Sequence, residues 1–106
     1  MVRSAVFDFK MDPTLRQRIY RIVRRIPRGS VLSYGDIGKI VGTGPRQVAA
    51  AIRNCPTGLP WHRVVGSNGK ILTPGETAWT QRQLLTLEGI HFRGRGFSYR
   101  LYKAKL

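Results

Sequence analysis

The sequence predicts a mostly helical domain with a small β element, organised as a winged-helix-like domain that contains a helix-turn-helix. Three observations support this prediction. A length of 106 residues allows one domain, which we assign to residues 1–106. Apolar side chains recur at helical spacing near the start of the chain. Further along, two short helical segments are joined by a glycine-containing turn, which is typical of a helix-turn-helix.

The charge of the chain points to a polyanionic partner. Nineteen Lys and Arg residues against five Asp and Glu residues give a formal net charge of +14, with a sequence pI near 11.5. Fourteen of the cations are arginine, whose planar guanidinium suits phosphate groups and base edges. Because such a chain is attracted to polyanions, nucleic acid is the first partner class to consider.

Composition also argues against several classes of protein. The single cysteine, Cys55, excludes an intramolecular disulfide framework, and two histidines do not favour a structural zinc site, so neither a metal nor a cofactor is expected. No apolar run approaches the ~20 residues that a membrane span needs. Asp8 and Lys10 interrupt the apolar start that a signal peptide requires. We therefore expect a soluble, cytoplasmic, bacterial-type protein, monomeric and associated with the nucleoid when bound to DNA.

The first helix is predicted to begin at Asp12-Pro13, an N-cap followed by proline at the first helical position, and to end at Pro27-Arg28-Gly29. Its apolar positions fall within an arc of roughly 100°, the width of a buried helix stripe. They are Leu15, Ile19, Ile22, Val23 and Ile26. The opposite side carries Arg18, Arg21, Arg24 and Arg25. We interpret this arginine face as solvated, with direct DNA contact as the alternative.

The next two helices form the predicted helix-turn-helix. After an extended Val31-Leu32, a helix begins at Ser33-Tyr34-Gly35 and runs to about Val41, and a third helix runs from Pro45 to about Asn54. The apolar face of the third helix comprises Val48, Ala51, Ile52 and Cys55, and its other face Arg46, Ala49, Ala50 and Arg53. Because alanine lacks bulk, this second face can approach a DNA groove closely. The alternative is a helix rich in alanine for its propensity alone.

The second half of the chain is predicted to contain the β element and one more helix. Val64-Val65 is a predicted strand, and Lys70-Ile71-Leu72 is expected to pair back on it as a hairpin or short wing. A helix is predicted from Glu76 to Glu88, with Gly89 as its C-terminal cap. The tail, residues 91–106, mixes aromatic and basic side chains. It is expected to be either a terminal strand pair or a mobile basic arm.

The segment Leu59-Pro60-Trp61-His62-Arg63-Val64-Val65 resembles the active site of the O6-alkylguanine-DNA alkyltransferase family, whose motif is Pro-Cys-His-Arg-Val. The surrounding elements follow the family's order. They are Ser33-Tyr34-Gly35, the helix from Arg46 to Asn54, the motif itself, and Leu84-Leu85 through Glu88-Gly89. The resemblance covers about residues 12–89, and it implies the fold of the alkyltransferase C-terminal domain.

The sequence departs from this motif at Trp61, where the family has the cysteine that accepts the alkyl group. An indole has no ionisable thiol and cannot attack an alkyl carbon. The sequence therefore resembles the alkyltransferase-like proteins, which bind alkylated guanine without repairing it. The resemblance implies that the protein is not an enzyme. It also implies two kinds of partner, double-stranded DNA that contains O6-alkylguanine and proteins of nucleotide excision repair.

The resemblance also assigns tasks to individual residues. Members of the family flip the damaged base out of the duplex into a pocket. Tyr34 matches the tyrosine that presses on the phosphate backbone, and Arg46 matches the arginine that fills the space left by the base. Ala49 and Ala50 match the helix face that enters the minor groove, and we expect Arg53 beside them to contact DNA. The residues expected to line the lesion pocket are Trp61, Pro60 and Tyr34.

His62 and Glu88 match the family's relay that activates the cysteine, and Asn54 loosely matches its hinge asparagine. Without the thiol, we expect His62 to be buried and to hold its loop by hydrogen bonds. Arg63 is expected to fix the same loop or to pair with Glu88. The family's pocket includes the loop that corresponds to residues 72–76, which here contains no cation to lie against the base.

Two other functions stay open. An active alkyltransferase would need another nucleophile, and Cys55 is the only candidate. We expect that thiol to be buried and inert, since it falls on the apolar face of the third helix. A sequence-specific winged-helix regulator would place long polar side chains on its recognition helix to read the major groove. The small Ala49 and Ala50 argue against that function.

Overall fold

The first helix packs an apolar stripe against the core. The structure, a computed structural model, describes residues 13–106, so the predicted N-cap at Asp12 lies outside the described residues. Helix α1 spans Pro13–Arg24, with proline at its first position as predicted. Ile19, Val23 and Ile26 on the predicted stripe are buried. The arginine face is exposed to solvent, apart from a hydrogen bond that the guanidinium of Arg18 donates to the carbonyl of Val41.

Strand β1 (Leu32–Ser33) leads directly into the helix-turn-helix, which consists of α2 (Tyr34–Val41) and α3 (Pro45–Arg53). The Ser33 hydroxyl caps α2 by accepting a hydrogen bond from the Asp36 amide at 2.9 Å. Gly42 ends α2 in the left-handed conformation, with φ +84°. Gly38 allows the turn to fold back closely, because a Cβ there would lie 2.5 Å from the Thr43 carbonyl oxygen. Both predicted helices are therefore present.

The β element differs from the prediction. Strand β2 (Val64–Val65) pairs in parallel with β1, so that Leu32 faces Val64. The Gly66 amide bonds to the Lys70 carbonyl at 2.8 Å and closes a turn, but residues 71–72 form no strand and Lys70 bridges to Gly96. The predicted hairpin through Lys70-Ile71-Leu72 is therefore wrong. The reason is that β1 forms the ladder with β2, while the turn after β2 packs closely on the later segment around Phe97.

After a 3₁₀ turn at Trp61–Arg63 and strand β2, helix α4 spans Gly75–Leu87. Its predicted C-terminal cap is confirmed, since Gly89 has φ +96° and its amide bonds to the Thr86 carbonyl at 3.0 Å.

The tail is neither a strand pair nor a mobile arm. It forms a short helix, α5 (Tyr99–Tyr102), and then returns to the centre of the molecule, where the Ala104 amide donates to the Val31 carbonyl at 2.8 Å. The Tyr99 hydroxyl donates to Asp36 Oδ2 at 2.5 Å and accepts from the Ser33 amide at 2.8 Å. The burial of Tyr99 and, second, this Asp36 bond raise the pKa of the phenol to about 12. The aromatic side chains thus dock the tail, which the sequence alone did not indicate.

The described elements enclose two apolar clusters. The first lies among α1, α2 and α3, and the second joins Val31, Val65, Leu85, Ile90 and Phe97. The predicted class, mostly helical with a small β element, is confirmed. Within residues 13–106, no helix is long and apolar enough to cross a membrane.

Candidate nucleic-acid interface

An open cavity of about 990 Å³ lies beside the helix-turn-helix, and several residues predicted for the site meet in it. The predicted residues that line it are Tyr34, Arg46, Ala49, Arg53 and Trp61. Cys55, Leu72, Thr73 and Pro74 also line it, which brings the loop after β2 to the same cavity. Helix α3 thus forms one wall, and the 3₁₀ turn and this loop form the others.

Helix α3 presents its polar face at the cavity because of its spacing. Arg46, Ala49 and Arg53 are separated by one and two helical turns and share a side of the helix. Both arginines are exposed, whereas Ala49 is half-buried. Ala50 is also half-buried, but it is not one of the described residues that line the cavity. The result is a helix face with a small side chain between two exposed cations.

Tyr34 is the first residue of α2, and its ring is largely buried at the cavity wall. Burial raises the pKa of its phenol, and the nearby charge of Arg53 partly opposes this effect. The hydroxyl therefore stays protonated at neutral pH.

Trp61 is the first residue of the 3₁₀ turn and has two environments. It packs against the first apolar cluster, and it also lines the cavity. The His62 ring stands nearly perpendicular to the indole, at 85° and 6.1 Å between ring centroids. Pro60, which we expected in the pocket, does not line this cavity. Its carbonyl instead accepts the Arg63 amide at 3.1 Å and helps to form the turn.

Glu88, at the end of α4, joins the 3₁₀ turn to the rest of the protein. Its carboxylate lies 2.8 Å from His62 Nε2 and accepts two hydrogen bonds from Arg63, at 3.0 and 2.8 Å. The Gly29 amide adds a longer bond at 3.3 Å. Although burial alone raises the pKa of Glu88, the hydrogen bonds from Arg63 and His62 lower it to about 2. Arg63 also donates to the Ile26 carbonyl at 2.8 Å, so each of its three guanidinium nitrogens makes a hydrogen bond that helps to hold the turn.

Two predicted residues take other positions. Asn54 is exposed at the C-terminal cap of α3, and its backbone carbonyl is 3.4 Å from the Tyr20 hydroxyl. Cys55, which we expected to be buried, is only half-buried and lines the cavity. The reason is that α3 ends at Arg53, so Cys55 lies in the following loop and not on the buried helix face. Desolvation still raises the pKa of its thiol.

Gln81, on α4, is a site-supporting residue that the sequence reasoning missed. Its fully buried amide donates to the His62 and Val64 carbonyls at 3.1 and 2.8 Å, and it accepts from the Thr73 hydroxyl at 2.8 Å. One side chain therefore links the turn that carries Trp61 to the loop that lines the opposite part of the cavity. The available signal was its spacing, because Gln81 precedes the buried Leu85 by one helical turn.

Comparison with known proteins identifies the family. Residues 14–90 match the family described as 6-O-methylguanine DNA methyltransferase, DNA binding domain. The chain belongs to this family. The DNA base-flipping protein of Escherichia coli (strain K12) is 43% identical over 89 residues, which are 80% of this chain and 69% of that protein. Alkyltransferase-like protein 1 of Schizosaccharomyces pombe is 40% identical over 75 residues, 67% of this chain and 69% of that protein.

A solved structure shows the same fold. The crystal structure of S. pombe Atl1 in complex with damaged DNA containing O6-carboxymethylguanine matches with a TM-score of 0.81 and 29% identity. The match covers 91% of this chain and 99% of that chain. The family match and the shared fold confirm the resemblance that the Pro-Trp-His-Arg-Val segment indicated.

Proposed function

We propose that this protein is a non-enzymatic sensor of O6-alkylguanine in double-stranded DNA. It binds the minor groove through α3, flips the damaged base into the cavity and directs the lesion to nucleotide excision repair. The observation that carries this proposal is the position of Trp61. Its indole lines a cavity next to α3, in the motif where the family's nucleophilic cysteine is expected. Names given to the relatives, a base-flipping protein and an alkyltransferase-like protein, support the same function.

The residues around Trp61 fit base flipping. The indole offers a rigid apolar surface for a purine, and aromatic stacking on a base is typically worth about 1–3 kcal/mol. Ala49 leaves room for the α3 backbone to approach the groove, and Arg46 is exposed at its edge. Arg46 can therefore enter the duplex and donate hydrogen bonds to the base that loses its partner.

The charged cluster behind Trp61 supports a binding role over a chemical one. Both carboxylate oxygens of Glu88 are occupied by Arg63 and His62. With Trp61 in the motif, no thiol stands next to His62 in the sequence. We therefore assign His62, Arg63 and Glu88 to holding the 3₁₀ turn, so that Trp61 keeps its position in the cavity wall.

A binding comparison tests the sensor function. Two matched duplexes, one with a single O6-methylguanine and one without, are titrated with the protein at several salt concentrations. We expect tighter binding to the damaged duplex, and intact protein mass should be unchanged after prolonged incubation with it. Equal affinity for both duplexes would overturn the proposal.

Alanine substitutions at Arg46 and Arg53 should change DNA binding in different ways. Arg46→Ala removes contacts made only after flipping, so binding and the fluorescence of a base analogue beside the lesion should fall together. The expected loss of binding free energy is about 1–3 kcal/mol.

Arg53→Ala should weaken binding to damaged and undamaged DNA alike. It should also lower the salt dependence of binding, since each phosphate contact contributes about −0.9 to the slope of log K against log salt.

Alkyl transfer to Cys55 is the second candidate, and it is favoured by one observation: the thiol lines the cavity. Against it, burial raises the pKa of Cys55 and lowers the thiolate fraction at neutral pH. In this reaction the thiolate would attack the alkyl carbon while the carbon–O6 bond breaks, and the departing guanine would take up the proton that the thiol had lost. A gain of one methyl group in protein mass that disappears in Cys55→Ser would establish it.

The link to nucleotide excision repair needs its own test. Purified excision-repair proteins are given the damaged duplex with and without this protein, and incision beside the lesion is measured. We expect more incision when the protein is present, and less stimulation by Arg46→Ala. Unchanged incision would restrict the function to lesion binding.

A further inference from the structure

A second groove runs along α1, outside the cavity described above. Its volume is about 410 Å³, and it is lined by Arg16, Gln17, Tyr20, Arg21, Arg24 and Pro56. Arg21, Arg24 and Gln17 are exposed, and Arg16 is half-buried. The groove is therefore a strip of guanidinium and amide donors on part of the arginine face of α1.

The groove adjoins the cavity. Pro56 lines both of them. The Tyr20 hydroxyl donates to the Ala51 carbonyl at 2.8 Å, which fastens α1 to the C-terminal end of α3. The α3 wall of the cavity and the groove on α1 are thus neighbouring surfaces.

The arginines of the groove lack acidic partners within residues 13–106. No acidic residue lines the groove. Of the described acidic side chains, Glu88 is held by Arg63 and His62, and Asp36 lies near Tyr99 and Lys103. Glu76 is exposed on α4 and lines neither the cavity nor the groove. The concentrated positive charge is therefore available to an external anion.

We propose that Arg16, Arg21 and Arg24 bind the phosphates of the DNA strand that continues past the flipped nucleotide. DNA is the partner that the groove favours because none of the large exposed apolar side chains of the described region lines it, whereas an amphipathic peptide would need such anchors. Phosphate contacts fix the register of a protein on the duplex without reading its sequence. The groove would thus hold the protein in register while the base occupies the cavity. This role rests on the proposed function for its position relative to the lesion, but not for DNA binding itself.

The test compares three single substitutions of the same kind. Arg21→Gln and Arg24→Gln each remove one charge from the groove. Arg25→Gln is the matched control, because Arg25 is exposed beside the end of α1 but does not line the groove. All three lower the net charge equally, so they change long-range attraction to DNA by similar amounts. Circular dichroism and thermal unfolding check that each variant folds.

The salt dependence of binding to the matched duplexes distinguishes the variants. We expect the slope of log K against log salt to fall by about 0.9 for Arg21→Gln and for Arg24→Gln, and to change much less for Arg25→Gln. The change should be the same on damaged and undamaged DNA. Equal effects of all three substitutions would overturn the proposal, since they would show a general charge effect and no groove contact.

Trimming the duplex gives a second readout. The damaged duplex is shortened one flank at a time, and the affinity of the wild type is compared with that of the Arg21→Gln/Arg24→Gln double variant. We expect removal of one flank to weaken binding by the wild type, and to weaken binding by the double variant much less. If trimming weakens both proteins equally, the groove does not bind that flank. If the proposed sensor function were wrong, the wild type would instead bind the damaged and undamaged full-length duplexes with equal affinity.

Discussion

At the scale of single residues, Trp61 both packs against the core and lines the cavity, so a substitution there has to separate a packing role from a role in lesion binding. Trp61→Ala should raise the rate of dissociation from O6-methylguanine DNA more than from undamaged DNA. The reason is that stacking on the indole, typically worth about 1–3 kcal/mol, is available only to a flipped base. Stopped-flow dissociation from the two duplexes measures the effect. An equal change on both would make Trp61 a packing residue and not a platform for the lesion.

The second prediction at this scale concerns Gln81. Gln81→Met keeps much of the volume but removes the donor that Gln81 provides to the His62 and Val64 carbonyls. Each carbonyl that loses this donor costs about 1–3 kcal/mol, so the free energy of unfolding should fall by a few kcal/mol. The preference for damaged DNA should fall as well, because the turn and the Thr73 loop lose their link. Urea denaturation and the matched duplexes provide the two measurements.

The control for Gln81 lies on the same helix. Gln83 is exposed, so Gln83→Met makes the same chemical change without affecting a buried hydrogen bond. Its stability should stay within about 0.5 kcal/mol of wild type. If Gln81→Met were as stable as Gln83→Met, the buried amide would not hold the cavity wall.

At the scale of elements, the close turn between α2 and α3 depends on Gly38. A methyl group at Gly38 would meet the Thr43 backbone oxygen at 2.5 Å, so Gly38→Ala should destabilise the protein by about 1–3 kcal/mol. Gly35→Ala on the same helix is the control, since its nearest neighbour would be the Ser33 hydroxyl at an ordinary 3.9 Å. Thermal unfolding should rank Gly38→Ala clearly below both Gly35→Ala and wild type. The reverse order would mean that the turn relaxes without cost.

The elements that the sequence predicted correctly are those with local signals. Ser33 caps α2, Gly42 ends it, and Pro45 begins α3, each within a few residues of the boundary it sets. The parallel pairing of β1 with β2 has no such signal, because the partners are far apart in sequence. The turn residues after Val65 wrongly favoured a hairpin for the same reason.

The candidate site divides in a similar way. The family motif predicted a pocket lined by Trp61, Tyr34 and Pro60, and the first two line the cavity whereas Pro60 does not. It could not predict Gln81, whose three hydrogen bonds join segments that meet only in the folded protein. Nor could it predict that Cys55 faces the cavity, because that depends on where α3 ends.

At the scale of the whole molecule, Glu88 makes stability depend on pH. Its pKa is about 2 in the folded protein, against an ordinary value of 4.5. Since the unfolded chain binds the proton more tightly, the stabilisation is complete above about pH 5 and is lost as the pH falls towards 2. The full difference corresponds to at most about 3 kcal/mol. Urea denaturation across this pH range should show the loss.

Two variants isolate this effect. Glu88→Gln should lower stability at neutral pH and flatten its dependence between pH 5 and 2, because no carboxylate remains to be protonated there. Glu76→Gln removes an exposed carboxylate on the same helix and should retain the wild-type profile. A steep profile in Glu88→Gln would place the acid sensitivity elsewhere.

The docking of the tail on Val31 bears on the kinetics of folding. The Tyr102 and Ala104 backbone groups bond to Val31 across most of the chain, whereas α1, α2 and α3 contact one another as near neighbours in sequence. Long loops close at a cost in entropy, so the helices should assemble before the rate-limiting barrier and the tail after it. Ala104→Gly should then raise the unfolding rate and leave the refolding rate almost unchanged, while the slopes of both limbs of the chevron plot stay the same. The lifetime of the folded state would be set by its last sixteen residues, and its rate of formation by the helices that precede them.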